Sequence, residues 1–122
     1  MPIRYVLLLV LLAFAAGALA IPPALDPVKV APHIYETAFE NERVRVLRRI
    51  IRNGDTEPFM QQPDRVIVYL NPCAWLEDDG EGGNRMESFE FGTPVWAPAE
   101  SRGGQTSNVI QECHVIEVEL LE

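Results

Sequence analysis

The sequence predicts an all-β fold of the small sandwich or barrel kind, and three observations carry that prediction. From residue 33 onward, short apolar runs are divided at close spacing by turn residues. No segment shows a convincing helical period. Residues 109–120 alternate, with Ile110, His114, Ile116, Val118 and Leu120 on one parity and Gln111, Glu117 and Glu119 on the other, as a strand does when it buries one face and wets the other.

The elements follow in chain order. Residues 21–32 hold Pro22, Pro23, Pro27 and Pro32. Proline removes a backbone donor and disfavours helix in the residue before it, so this stretch is expected to be an extended arm ahead of a domain over residues 33–122. A first strand at 34–39 and a polar turn at 40–42 lead into a strand at 44–51. There Val44, Val46 and Ile50 share one parity, and Arg43, Arg45 and Arg49 share the other. On an acidic chain those arginines are expected on the outer face, paired with neighbouring carboxylates.

Asn53-Gly54-Asp55 is a strong turn signal. Residues 65–70 are rich in β-branched side chains and suit a central strand, closed by Asn71-Pro72. A short strand at 74–76 precedes the solvated loop 78–83. Strands at 85–91 and 95–97 flank Gly92-Thr93-Pro94, and a loop at 100–107 leads into the last strand, 109–120. Its apolar parity is expected to face the core, which makes His114 a hydrogen-bonded inward residue and leaves Glu117 and Glu119 in solvent. Trp75 is expected in the core and His33 at the surface.

Ahead of these elements, residues 1–20 read as a cleavable export signal. One positive residue, Arg4, precedes an unbroken apolar or small run over 5–16, and Ala18 and Ala20 fit the A-x-A cleavage pattern. The run is short for a transmembrane helix, which needs roughly 20 residues; an uncleaved anchor is the alternative. Export makes the protein periplasmic or extracellular. The chain has a formal net charge of −8, and losing Arg4 leaves nine basic against 18 acidic side chains, a net of −9. Such a surface repels nucleic acid and anionic membrane alike, so neither is an expected partner. In an oxidising compartment the two cysteines, Cys73 and Cys113, suit a disulfide; two separate buried thiols are the other reading.

Several segments resemble the small, often exported, single-domain cupins. Asp26-Pro27-Val28-Lys29-Val30 is similar to the opening of that family, and Phe39-Glu40-Asn41-Glu42-Arg43-Val44-Arg45-Val46-Leu47 resembles its first hairpin. Residues 54–64, with Pro58, Pro63 and Asp64, resemble the stretch that holds the first cupin motif. Gly92, Pro94 or Val95, Trp96, Pro98 and Ala99 resemble the start of the second, and Val115-Ile116-Glu117-Val118-Glu119-Leu120 resembles the closing strand. The resemblance implies a cupin-like antiparallel β-barrel, or double-sheet jelly roll, with a pocket in its mouth.

In typical cupins that pocket holds a divalent metal on histidines and often a carboxylate. Carried over by position, the two histidines of the first motif fall on Met60 and Gln62, the glutamate on Val66, and the histidine of the second motif on or beside Arg102. None supplies an imidazole or a carboxylate. The leading expectation is therefore a metal-free, non-catalytic domain without a cofactor. It binds a small molecule or a protein through a mouth lined by Met60, Gln62, Trp96 and Arg102, with Arg102 offering its fork to a carboxylate ligand. A metal-dependent oxygenase or isomerase with a rearranged site built from His114, Glu57, Gln62 or Asp64 is the second expectation. A structural module that forms homodimers, as the resemblance implies, is the third. No nucleophile motif of the Gly-x-Ser-x-Gly type is present.

Overall fold

The computed structural model describes residues 21–121; the export signal expected over residues 1–20 lies outside them. The proline-rich stretch is not an extended arm. It folds into a 3₁₀ turn at Pro23–Leu25 and one turn of α-helix, α1, at Pro27–Val30. Proline suits the first position of a helical turn, where no N–H is needed, and the Asp26 side chain caps α1 by accepting from the Val28 amide at 3.0 Å. Pro27 and Ala31 are buried, and both Asp26 oxygens bind the Arg45 guanidinium at 3.0 Å. The turns are thus part of the packed body.

Nine strands follow: β1 Tyr35–Glu40, β2 Val44–Ile51, β3 Met60–Gln62, β4 Arg65–Tyr69, β5 Cys73–Asp78, β6 Asn84–Phe89, β7 Pro94–Ala97, β8 Glu100–Arg102 and β9 Cys113–Leu120. All pairings are antiparallel. A five-stranded sheet runs in the order β1-β2-β9-β4-β7, and the pairs β3-β8 and β5-β6 form the opposing layer. The β1–β2 turn closes because the Asn41 side chain accepts from the amides of Arg43 and Val44. Strand β8 lies inside the loop expected at 100–107, since Glu-Ser-Arg carries no β-branched signal. The last strand starts at Cys113, and Val109 makes only an isolated bridge to Trp75.

The faces of the large sheet reverse the expectation. In β9, Cys113, Val115, Glu117 and Glu119 are buried, whereas His114 and Leu120 are exposed. The inward residues opposite them on β2 are Ile51, Arg49, Leu47 and Arg45, so the arginines expected outside point in. Because side chains alternate strictly along a strand, facing Cys113 inward to meet Cys73 commits Glu117 and Glu119 to the interior as well.

The apolar core consequently divides in two. One cluster gathers Ala31, Ile34, Tyr35, Leu47 and Met60 under α1. The other joins Ile67, Tyr69, Val109 and Val115 to the Cys73–Cys113 disulfide, with Trp75 and Phe89 packed against it. Tyr69 and Phe89 stack with ring centroids 4.6 Å apart, and Trp75 completes the group 5.4 Å from Phe89. The disulfide spans 40 residues of sequence and ties the start of β5 to the start of β9.

Candidate functional site

Between the two clusters the barrel interior is ionic. Glu57, in the segment after the Asn53-Gly54-Asp55 turn, is buried and uses both oxygens: Oε1 accepts from an Arg49 guanidinium nitrogen at 2.7 Å and from the Tyr35 hydroxyl at 3.1 Å, and Oε2 accepts from Arg102 at 2.7 Å. Arg102, on β8, also donates to the Tyr35 hydroxyl at 3.0 Å and to Gln62 Oε1 at 3.1 Å. Gln62 passes the chain of bonds on by donating to Glu117 at 3.2 Å, and Arg65 donates to the same Glu117 oxygen at 2.8 Å. The outer end of Arg65 reaches Glu100 at 2.9 Å. A neighbouring group joins Arg45 to Glu119 at 2.6 Å and to Asp26.

Backbone geometry at Gly103 sets this arrangement. Its φ is +134°, a region that disfavours a side chain, and a Cβ there would collide with the Pro58 carbonyl. The close approach brings β8 against the segment carrying Glu57, which lets Arg102 and Glu57 meet.

The charge states follow from these contacts. Burial alone would raise the pKa of Glu57, but the guanidiniums of Arg49 and Arg102 and the hydrogen bonds from Arg49 and Tyr35 outweigh it and hold the carboxyl below its usual range. At Glu119 burial dominates over the single partner Arg45, and the nearby charges of Glu117 and Asp26 add to it, so that carboxyl is raised. Burial likewise pushes the Tyr35 hydroxyl up. The network is not saturated. Glu117 Oε2 is buried without a hydrogen bond, 3.6 Å from an Arg49 nitrogen, and Arg49 Nε also lacks an acceptor.

An open cleft of about 620 Å³ borders this interior. Arg49, Glu57 and Tyr69 line its inner part, Trp75, Glu77 and Asp78 of β5 one wall, and the uncharged polar run Gln105, Thr106, Ser107 and Asn108 another. Backbone bonds fix that second wall: Gly54 donates to Ser107, Ser107 to Asp55, Glu57 to Gln105 and Leu76 to Asn108. Trp75 is held by its indole N–H donating to Glu77 at 2.8 Å. The cleft is therefore a preformed, polar, one-sided aromatic recess.

Of the residues expected at the mouth, Gln62 and Arg102 do meet, and Met60 lies beside them in the strand register but is buried in the apolar cluster. Arg102 is not free to hold a carboxylate ligand, because Glu57, Tyr35 and Gln62 already occupy it. Val66 lies on the opposite face of β4 from inward Arg65, pairing with Trp96 and Val118. Trp96 is 55% exposed on the outside of the sheet. His114 also points out, 3.0 Å from Glu112, and Asp64 is exposed, accepting from the Ala99 amide at 2.7 Å. Residue-by-residue reading missed Arg49, Arg65, Glu117 and Glu119. The signal that reveals them is Cys113, whose parity is also that of the two glutamates. Among the described residues no three histidine, cysteine, aspartate or glutamate side chains converge as metal ligands would.

No protein-family model and no curated protein matches the chain. Solved structures do. The chain is similar to a cupin domain of Bordetella pertussis Tohama I, with 23% identity and a TM-score of 0.50 over 73% of this chain and 93% of that one. It is also similar to the polyketide cyclase RemF of Streptomyces resistomycificus, with 18% identity and a TM-score of 0.51 over 72% of this chain and 64% of that one. The fold is that of a cupin, an antiparallel β-barrel of the jelly-roll type.

Proposed function

We propose that the protein is an exported, metal-free cupin-fold binding domain, which takes a small polar organic molecule in the cleft beside Arg49 and Glu57 and does no chemistry on it. The observation that carries this reading is the ionic network at the position where a cupin metal would be held. Gln62 and Arg102 stand where ligand histidines are expected and are committed to Glu57 and Glu117. Three guanidiniums, those of Arg49, Arg65 and Arg102, bring positive charge where a metal needs electron pairs, and Met60 is committed to apolar packing. A divalent metal does not fit this donor set.

Catalysis is disfavoured for a related reason. Of the three carboxylates that line the cleft, Glu57 is the buried one, and both of its oxygens already accept charged hydrogen bonds, which makes it a weak base, while Glu77 accepts from Trp75 and Arg85. Two guanidinium partners fix the position of Glu57 as well as its charge. The Cys73–Cys113 disulfide supports an oxidising compartment, and no helix among the described residues is long and apolar enough to cross a membrane.

The cleft itself narrows the ligand. Arg49 is offset by Glu57, Glu77 is paired with Arg85 at 3.1 Å, and Asp78 adds negative charge at the wall, so an anionic molecule is disfavoured relative to an uncharged or zwitterionic one. The test is metal content and thermal midpoint after incubation with iron, manganese, zinc, nickel and copper. The expected result is no stoichiometric metal and no shift. Bound metal with a raised midpoint would sink the reading, because a ligand held only by the native state must stabilise it.

A further inference from the structure

A second recess, of about 420 Å³, opens where the N-cap of α1 meets β2 and β9, and it shares no residue with the cleft beside Glu57. Asp26, Glu40, Asp64 and Glu119 line it together with a single cation, Arg45. Four carboxylates against one guanidinium leave a local excess of negative charge.

Glu119 is the most deeply buried of the four: it is 1% exposed, and its Oε2 is buried without a hydrogen-bond donor. A buried carboxylate oxygen left unpaired is costly, and neither neighbouring arginine relieves it. Arg45, opposite on β2, gives its Nε to Glu119 Oε1 and both terminal nitrogens to Asp26. Arg65, opposite on β4, is committed to Glu117, Glu100 and the carbonyls of Pro63 and Pro98. Burial, with the nearby charges of Glu117 and Asp26 adding to it, raises the Glu119 carboxyl; a cation set against Oε2 opposes that shift.

We propose that this recess is a binding site for a small primary amine, held as its ammonium by Glu119 within a rim formed by Glu40 and Asp64. An ammonium brings one charge and three donors, which suits an orphan carboxylate oxygen ringed by further carboxylates. Pro63, Ala99 and Leu121 give the recess apolar wall, which suits a short hydrocarbon body. Its charge repels an anion. A divalent metal does not suit it either: Arg45 holds both Asp26 oxygens, and no three carboxylates among the described residues converge as ligands.

The amine has two sources. One is a free small molecule. The other is the chain itself, because Ile21 also lines the recess and cleavage after Ala20 frees the α-amino group of Ile21 there. That second source rests on the export reading; the site does not, so a failure of export leaves it standing.

The experiment titrates n-butylammonium into the isotope-labelled full chain, and into a chain that begins at Ile21, reading backbone amide shifts by NMR. Saturable shifts are expected around Glu119 and Arg45, and neither n-butanol nor butyrate should produce them. Glu119→Gln should abolish them. Glu40→Lys, which sets a cation at the rim, should weaken binding by about fivefold or more. Binding to the chain that begins at Ile21 assigns the site to a free amine, whereas binding to the full chain alone assigns it to the chain's own terminus; either result supports an ammonium site. No saturable shift in either chain overturns the proposal, as does equal binding of n-butanol, or a titration that E119Q and E40K leave unchanged. Should E119Q fail to fold, E40K decides alone, because Glu40 is exposed and its replacement leaves the packed interior intact.

Discussion

Glu57 and Arg102 face each other at 2.7 Å in the interior of the barrel. Arg49 binds the same carboxylate from the other side at 2.7 Å. One glutamate thus joins the large sheet, through Arg49 of β2, to the small one, through Arg102 of β8.

Removing that carboxylate leaves two guanidiniums facing each other with little solvent. Glu57→Ala is expected to cost about 3–5 kcal/mol, the range for breaking a buried ion pair from one side. For a domain of this size that lowers the thermal midpoint by more than about 10 °C. Glu57→Gln keeps the shape and a hydrogen-bond acceptor, and is expected to cost less. Thermal unfolding of the two variants checks the order; equal losses would show that the charge is immaterial.

Stability should also peak on the acid side of neutrality. The carboxyl of Glu57 titrates in the folded state below its unfolded value of about 4.3. Its contribution is therefore complete above that value and disappears as pH falls through the folded one. Glu119 acts in the opposite sense. Its raised folded value makes the folded state take up the proton first, so stability rises as pH falls from neutral toward the unfolded value. Midpoints measured from pH 8 to pH 3 should rise gently and then fall steeply. E119Q should abolish the rise, and E57Q should flatten the fall.

Reducing the disulfide should destabilise strongly. Cys73 and Cys113 close a loop of 40 residues, for which the chain-entropy relation gives about 4 kcal/mol. Cys73→Ser with Cys113→Ser, unfolded in urea beside the oxidised wild type, measures the difference. Because the bridge anchors the start of β5, the wall carrying Trp75 should lose order too, readable in the fluorescence of that residue.

His114 should be dispensable. Its ring is exposed and meets only Glu112, so His114→Ala is expected to change stability by no more than about 0.5 kcal/mol. Any larger loss, or a change in metal uptake, would give this residue a role that its outward position does not suggest.

The strands were largely legible in the sequence, and the direction in which they face was not. Alternation marks β2 and β9 clearly, because Val44, Val46, Ile116 and Val118 recur every second residue. Hydrophobicity then assigns the wrong face to the core. The apolar rows lie outside and the interior takes arginine and glutamate, which cancel in pairs across the register: Arg45 beside Glu119, and Arg49 near Glu117. Single-residue hydropathy cannot see such cancellation, because each charge is unfavourable alone and tolerable only beside its partner. The same inversion moved Trp96, Val66 and His114 out of the expected mouth. Strand β8 was invisible for a simpler reason: three polar residues pair with β3 only because Gly103 allows the close approach.

The position of β9 bears on how the chain is made. It sits in the middle of the large sheet, between β2 and β4, and Val44 pairs with Leu120. During synthesis the β1–β2 hairpin and the β4–β7 pair emerge with nothing to join them, and a partner 76 positions further on must arrive first. Such late, long-range closure makes folding slow. It also leaves the nascent chain threadable until β9 has been added, the condition that an exported chain must meet to pass a narrow translocation channel.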